Sequence, residues 1–321
     1  MKIVILDGYT LNPGDLSWEK LNDFGELTVH DRTEYNNEKI IESIGSAEIV
    51  YTNKTPLPKK VLEKTPSVRY IGVLATGFNV VDVVAAKELG IVVTNVPSYG
   101  TTAVAQMTMA LLLEMCHHVG EHNRAVKQGD WSKSKDFCFW NYPLMELDGK
   151  TIGIVGFGRI GQATAKLAQA FGMNILTSGS RKRPELETST CKQVYMDELL
   201  ANSDVISLHC PLTPETEGII NVANISKMKD NAMLINTSRG QLIVEKDLKD
   251  ALDNGKISYA AIDVVSKEPI DKYNVLLKAD NCIITPHIAW APKESRNRLL
   301  NTAIENLEAF IKGNPINVVN K

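Results

Sequence analysis

Three residues in the last third of the chain are of the types that proton and charge transfer need: Arg239 in INTSRG, Glu268 in IDVVSKEP and His287 in ITPHIAWA. Each follows an apolar run that ends in a loop. A guanidinium can hold a carboxylate, an imidazole can give or take a proton, and a carboxylate can orient the imidazole. Together they form a working set for adding a hydride to a keto acid, provided a nucleotide lies beside them. A glycine fingerprint upstream supplies that condition: Gly156, Phe157, Gly158, Arg159, Ile160 and Gly161. It follows the strand-like TIGIV and opens the helix-like RIGQATAKLAQAFG, the context in which G-x-G-x-x-G holds a pyrophosphate. Gly156 allows the tight turn, Gly158 lets the backbone approach the phosphates, and Gly161 lets helix and strand pack closely. The helix start offers free N–H groups and the positive end of a dipole.

About 20 residues past the fingerprint, NAD enzymes place an acidic side chain on the ribose hydroxyls. Here the stretch reads ILTSGSRKRPE, with no carboxylate before Glu185. Ser180, Arg181, Lys182 and Arg183 stand there instead. Hydroxyl and cationic groups can bind a 2′-phosphate that an acid would repel, so NADP(H) is the expected cofactor, with NAD(H) possible.

Such a set needs two layers of positioning elements. At 321 residues the chain exceeds the size at which one core usually stops growing, so two domains are expected. Short apolar runs at 2–6, 49–52, 70–74 and 91–94 alternate with helical stretches at 57–64 and 80–89, which implies a parallel sheet covered on both faces. Pro97, Ser98, Tyr99 and Gly100 break the pattern, and Thr101 or Thr102 can cap a long helix, apolar to about Val119 and polar to Gln128. A helix this apolar must be covered by the second domain or a twin subunit, and a dimer interface is the expectation. Six strand candidates then follow, at 152–155, 174–177, 205–209, 233–236, 260–263 and 282–284, with helices at 159–171, 197–202 and 244–254. That series fits a doubly wound nucleotide domain. Pro292 opens a last helix to Ile311, stopped by Gly313, Asn314 and Pro315, which is expected to return to the first hundred residues. The expected division is 1–99 with 288–321 for the substrate domain and 100–287 for the Rossmann domain.

Composition narrows the class further. With 44% hydrophobic and 23% charged residues the chain matches an ordinary soluble enzyme. Its net charge of −3 and lack of a polybasic tract predict no nucleic-acid surface. No apolar run approaches the roughly 20 residues that span a bilayer, and MKIVILDGYT lacks the long apolar region of a secretory signal. Five scattered cysteines without C-x-x-C spacing read as reduced thiols of a cytoplasmic protein. His118 and His122 have the i, i+4 spacing of a metal pair, but no H-E-x-x-H completes it, and no metal is expected.

The motifs YIGVLATGFNVVD, VTNVPSYGTTAVAQ, GIVGFGRIGQ, HCPLTPET, INTSRG, AAIDVVSKEP and TPHIAWA run through nearly the whole chain. In them the sequence resembles the D-isomer-specific 2-hydroxyacid dehydrogenases, most of all the glycerate dehydrogenase (hydroxypyruvate/glyoxylate reductase) branch. The resemblance implies a flavodoxin-like substrate domain beside the Rossmann domain. It implies that Arg239 binds the substrate carboxylate, that His287 is the acid that protonates the forming alkoxide, and that Glu268 fixes the imidazole tautomer and favours its charged form. It also implies that backbone N–H groups of Ala75, Thr76 and Gly77 hold the carboxylate, and that Asp263 binds the nicotinamide carboxamide. Arg159 and Ile160 would line the pyrophosphate, and His209, Cys210, Pro211 and Thr216 the adenosine half. Thr237 would lie near the nicotinamide, and Trp290 would close the substrate pocket or serve as a core residue. The missing acid after the fingerprint departs from NAD-using relatives, and regulation through a C-terminal extension after Lys321, as in long phosphoglycerate dehydrogenases, is not expected. A reductase of bulkier 2-keto acids is the alternative within enzymes. A nucleotide-sensing corepressor with the same triad is the alternative from another class.

Overall fold

The computed structural model describes residues 1–181 and 183–321, and Lys182, one of the cations expected at the cofactor, lies outside the described residues. The chain divides into two compact units, Met1–Gly100 with Trp290–Lys321, and Thr101–Ala289.

The first unit is built on five parallel strands: β1 (Lys2–Ile5), β2 (Glu26–Val29), β3 (Ile49–Thr52), β4 (Tyr70–Val73) and β5 (Val92–Thr94). Their order is β2-β1-β3-β4-β5, the flavodoxin-like doubly wound arrangement. Runs such as IVYT and YIGV are buried along their whole length because helices cover both faces of the sheet. One face is closed by the last helix, Lys293–Ile311, which places Leu299, Leu300, Ala303 and Leu307 against Ile3, Ile5, Tyr51 and Tyr70. The Tyr51 hydroxyl donates to the Ala303 carbonyl at 3.1 Å, so its buried polar end is satisfied. The strand β2 was not foreseen from sequence. It is a four-residue edge strand, ELTV, mostly exposed, and it lacks the apolar run that marks its neighbours.

The second unit carries seven parallel strands: β6 (Thr151–Val155), β7 (Asn174–Ser178), β8 (Cys191–Gln193), β9 (Val205–Leu208), β10 (Ala232–Asn236), β11 (Ile257–Ile262) and β12 (Cys282–Ile284). Their order is β12-β11-β10-β9-β6-β7-β8, so the winding reverses between β6 and β9. In open α/β sheets ligands bind outside the carboxyl ends of strands at that reversal, which is where the fingerprint after β6 and His209 after β9 stand. Six of the seven strands match apolar runs. The seventh, β8, is the three-residue edge CKQ, too short and polar to signal a strand.

The long helix expected from residue 101 to 128 is two helices, Thr101–His117 and Val119–Lys127. His118 separates them in the left-handed region, with φ 48°. His118 and His122 therefore do not share one continuous helical face. The His118 ring packs between Tyr142 and Tyr259, with centroids 4.6 and 4.8 Å away. Much of the apolar surface of Thr101–His117 is buried within its own unit. Met109, Leu112, Met115 and Cys116 pack with Ile152, Ile154, Ala165 and Ala168. The apolar side chains left exposed in this region lie further on, at Val119, Trp131, Phe137, Trp140 and Leu144. No helix among the described residues is long and apolar enough to cross a membrane.

Candidate active site

The fingerprint turn is shaped by what a side chain would strike. Gly156 has φ 96°, and a Cβ there would lie 2.5 Å from the Cys210 nitrogen, so the turn presses directly on the loop after β9. At Gly161 a Cβ would meet the Gly156 carbonyl oxygen at 2.3 Å. Gly158 differs: a Cβ there would meet nothing within 4 Å. This open glycine is the N-cap of the helix Arg159–Ala170 and provides no side-chain cap. Among the described residues the N–H groups of Arg159 and Ile160 have no acceptor in the protein, as at any uncapped helix start. An open, uncapped helix start at the sheet's reversal point fits a dinucleotide pyrophosphate.

The residues named for the adenosine half stand beside this turn. The N–H of His209 donates to Val155 at 2.7 Å, which aligns the end of β9 with that of β6. Its Nε2 shares a 2.9 Å hydrogen bond with the Ser207 hydroxyl, while its buried Nδ1 has no partner. Desolvation lowers this imidazole from its ordinary 6.5 to about 4, so it is neutral at physiological pH. Cys210 is buried. Thr216 folds its own loop: its hydroxyl donates to the Pro211 carbonyl at 2.7 Å and accepts from the Thr213 N–H at 2.8 Å.

Arg239, Glu268 and His287 sit in the loops that follow β10, β11 and β12, at one edge of the same sheet. Asn236, fully buried at the end of β10, bridges its loop. Its Oδ1 accepts from the Ser238 N–H at 3.0 Å, and its Nδ2 donates to the Arg239 carbonyl at 2.8 Å. The Arg239 side chain is exposed and, among the described residues, donates to the neighbouring Ser238 carbonyl at 2.7 Å. The next residue must be glycine, since a Cβ at Gly240 would lie 1.9 Å from the Val265 carbonyl carbon. That close approach seats the Arg239 loop against the loop that carries Glu268, and Gln241 adds a hydrogen bond to the Ser266 carbonyl at 2.9 Å.

Glu268 accepts from the Val265 N–H at 3.3 Å through Oε1, and its Oε2 is 2.7 Å from His287 Nδ1. An ionised carboxylate only accepts, so Nδ1 carries a proton and Nε2 is left for other chemistry. The two side chains are partly exposed, at 36% and 29%, so the pair can reach a ligand. His287 itself has φ 55°, a left-handed conformation uncommon for a residue with a Cβ.

Asp263 explains how that conformation is held. It lies at the end of β11 and is 1% exposed. Its Oδ1 accepts from the Thr285 hydroxyl at 2.6 Å and the Ile288 N–H at 2.9 Å, and its Oδ2 accepts from the Ala289 N–H at 2.8 Å. The loop 285–289 is thus clamped on both sides of His287. Sequence reasoning named Asp263 for the nicotinamide carboxamide and missed this bracing. Thr237, also named for the nicotinamide, is buried and shares a 3.2 Å hydrogen bond with Thr108.

Ala75, Thr76, Gly77 and Trp290 belong to the first unit, and the exposed Ser180 and Arg181 follow β7 in the second. Ala75, Thr76 and Gly77 form the loop after β4. The Thr76 hydroxyl donates to Val96 at 2.9 Å and Asn95 Nδ2 donates to the Thr76 carbonyl at 2.7 Å. The backbone N–H groups of Thr76 and Gly77 have no acceptor among the described residues. Trp290 is partly buried in the core beneath the last helix, edge-on to Tyr99 with centroids 6.4 Å apart.

A dinucleotide cradle on the sheet that also carries an imidazole–carboxylate pair and an exposed guanidinium defines a nicotinamide-nucleotide-dependent oxidoreductase. The profile of the D-isomer specific 2-hydroxyacid dehydrogenase NAD binding domain matches residues 109–289. A hydroxypyruvate reductase of Blautia hydrogenotrophica is 62% identical, covering 100% of both chains. A glycerate dehydrogenase of Methylorubrum extorquens is 39% identical over 99% of this chain and 98% of its own. Among solved structures, an acyclic imino acid reductase in complex with NADPH and D-Arg superposes with a TM-score of 0.86, at 32% identity over 99% of this chain and 100% of its own. The chain belongs to the D-isomer specific 2-hydroxyacid dehydrogenase family.

Proposed function

We propose that this protein reduces hydroxypyruvate to D-glycerate and glyoxylate to glycolate, with NADPH preferred over NADH. The observation that carries the reaction is the 2.7 Å contact between His287 Nδ1 and Glu268, which leaves Nε2 as the proton donor. The full-length 62% identity to a hydroxypyruvate reductase supports the substrate class.

When bound, the reduced nicotinamide supplies a hydride to the carbonyl carbon. The chain's own residues do the rest. Arg239 takes the substrate carboxylate in a forked hydrogen bond and places positive charge beside the carbonyl. The carbonyl oxygen, as it gains negative charge, takes the proton from Nε2 of the charged His287. The ring returns to the neutral form with its Nδ1 proton still held by Glu268, and bulk water reprotonates Nε2 for the next turnover. Reversal of these steps oxidises the hydroxy acid, with His287 as base. Within the first unit, the N–H groups of Thr76 and Gly77, which have no acceptor among the described residues, are proposed as donors to an anionic group.

The preference for NADPH rests on the absence of a carboxylate immediately after β7 and on the exposed Ser180 and Arg181 there. We also assign the exposed aromatic and aliphatic side chains of residues 119–144 to a homodimer contact. Phe137 is 89% and Trp140 65% exposed, more apolar surface than a free monomer usually presents in one segment. Sedimentation should give twice the chain mass, and charged substitutions at Phe137 and Trp140 together should halve it. All five cysteines are unpaired, which fits a reducing cytoplasm.

The test is turnover across a keto-acid series with each nucleotide. Hydroxypyruvate and glyoxylate should be the fastest substrates, and NADPH should be consumed at lower concentration than NADH. Faster reduction of phenylpyruvate would assign the enzyme to bulkier 2-keto acids instead.

A further inference from the structure

Ser180 and Arg181, expected at the cofactor, lie in a loop that the sheet alone does not hold. β7 ends at Ser178, whose carbonyl accepts from the Gly156 N–H at 2.7 Å, so the strand end is tied to the fingerprint turn. Beyond it, Gly179 stays close to that turn: a Cβ there would be 3.7 Å from the Phe157 nitrogen. Ser180 and Arg181 then run exposed, and neither side chain has a partner among the described residues. Arg183 differs, because its guanidinium is turned toward Glu185, at 3.9 Å.

One side chain spans this loop. Gln193 is the last residue of β8 and is register-paired with Thr177 on β7. Its Nε2 donates to the Arg181 carbonyl at 2.8 Å, and its Oε1 accepts from the Arg183 N–H at 2.7 Å. Its own backbone N–H donates to Glu187 at 3.2 Å, which keeps the end of β8 in place. A primary amide is suited to this bridge because it offers a donor and an acceptor side by side; a carboxylate, an alkyl group or a hydroxyl lacks that fork.

We infer that Gln193 is a positioning residue for discrimination of the 2′-phosphate: it fixes the backbone from which Ser180 and Arg181 reach that group. The inference rests on the NADP(H) reading above. Forked recognition of phosphate by a guanidinium depends on a fixed approach, and an untethered loop holds the competent geometry only part of the time. Affinity for the 2′-phosphate then falls by the fraction of time lost, while binding of the rest of the nucleotide is untouched.

Calorimetric binding of 2′,5′-ADP and 5′-AMP tests this without turnover. The unaltered enzyme should bind 2′,5′-ADP more tightly, and Arg181→Ala should erase most of that preference. Gln193→Ala should weaken 2′,5′-ADP by about five- to tenfold, the worth of a net hydrogen bond or two, and leave 5′-AMP unchanged. Gln193→Glu, of the same size, cannot donate to the Arg181 carbonyl and adds negative charge, so it should lose more; it also serves if the alanine variant unfolds. Equal loss on both ligands would make Gln193 a general structural residue and overturn the inference, as would no loss at all. If the unaltered enzyme does not distinguish the two ligands, the NADP(H) reading fails first and this one falls with it.

Discussion

The loops after β10, β11 and β12 and the loop after β7 rise from one sheet but are held in different ways. In the first group Asn236 ties its own loop, Gly240, Gln241 and Asp263 each join two segments, and Asp263 alone accepts three hydrogen bonds around His287. In the loop after β7 the backbone of Arg181 and Arg183 is bridged by the amide of Gln193. The contrast follows from the tasks. Proton transfer depends on placing Nε2 within a few tenths of an ångström, so a strained His287 backbone is worth several braces. The proposed nucleotide selection asks only for a fixed approach to one phosphate, and the Gln193 amide bridges the backbone that would give it.

Substitutions should separate the two regions. His287→Ala has the largest expected effect: turnover should fall by about 10²–10⁴-fold, the usual share of acid catalysis, while nucleotide titration shows unchanged affinity. Arg239→Ala should raise KM and cut kcat together, for a loss in kcat/KM of about 10²–10³-fold, comparable to removing a charged donor at a reacting centre. Glu268→Gln should lower kcat on the order of tenfold with KM nearly unchanged, less than the full value of acid catalysis, because the amide no longer selects one imidazole tautomer. If it instead raised KM alone, Glu268 would belong with substrate binding.

Two smaller effects probe the braces. Asp263→Asn places an NH₂ where a backbone N–H or the Thr285 hydroxyl now donates. It should cost about 1–3 kcal/mol of stability in chemical denaturation and also slow turnover, because His287 shares the loop. A stability loss with full turnover would show that the clamp is not what positions His287. The smallest effect is at His209. Its imidazole is held neutral with a value depressed from 6.5 to about 4, so the unfolded chain binds the extra proton between those values. The stability this group contributes is present above pH 6.5 and is lost as pH falls toward 4. His209→Gln should flatten that acid-side decline, and melting temperatures measured from pH 7 to 4 would reveal it.

Much of this contrast was legible in the residues. INTSRG and IDVVSKEP begin at the buried ends of β10 and β11, and TPHIAWA directly follows β12, so parallel strand order alone carries Arg239, Glu268 and His287 to one sheet edge. The fingerprint was legible for the same reason, because turn, strand and helix adjoin in sequence. What escaped depends on contacts between distant segments. The three donors to Asp263 lie 22–26 residues further along, and nothing local in AAIDVV signals them. The break at His118 interrupts a pattern that reads as continuous helix, since a left-handed residue without glycine has no compositional mark. The edge strands β2 and β8 escaped because one exposed side removes the apolar run. Gly240 was a usable signal: a glycine directly after the arginine pointed to a close backbone approach.

Incubating the enzyme with hydroxypyruvate and NADPH, then resolving the product on a chiral column, tests the central claim most directly. D-glycerate formed in step with NADPH consumption is the predicted result. L-glycerate, or no glycerate with NADPH and NADH alike, would contradict it.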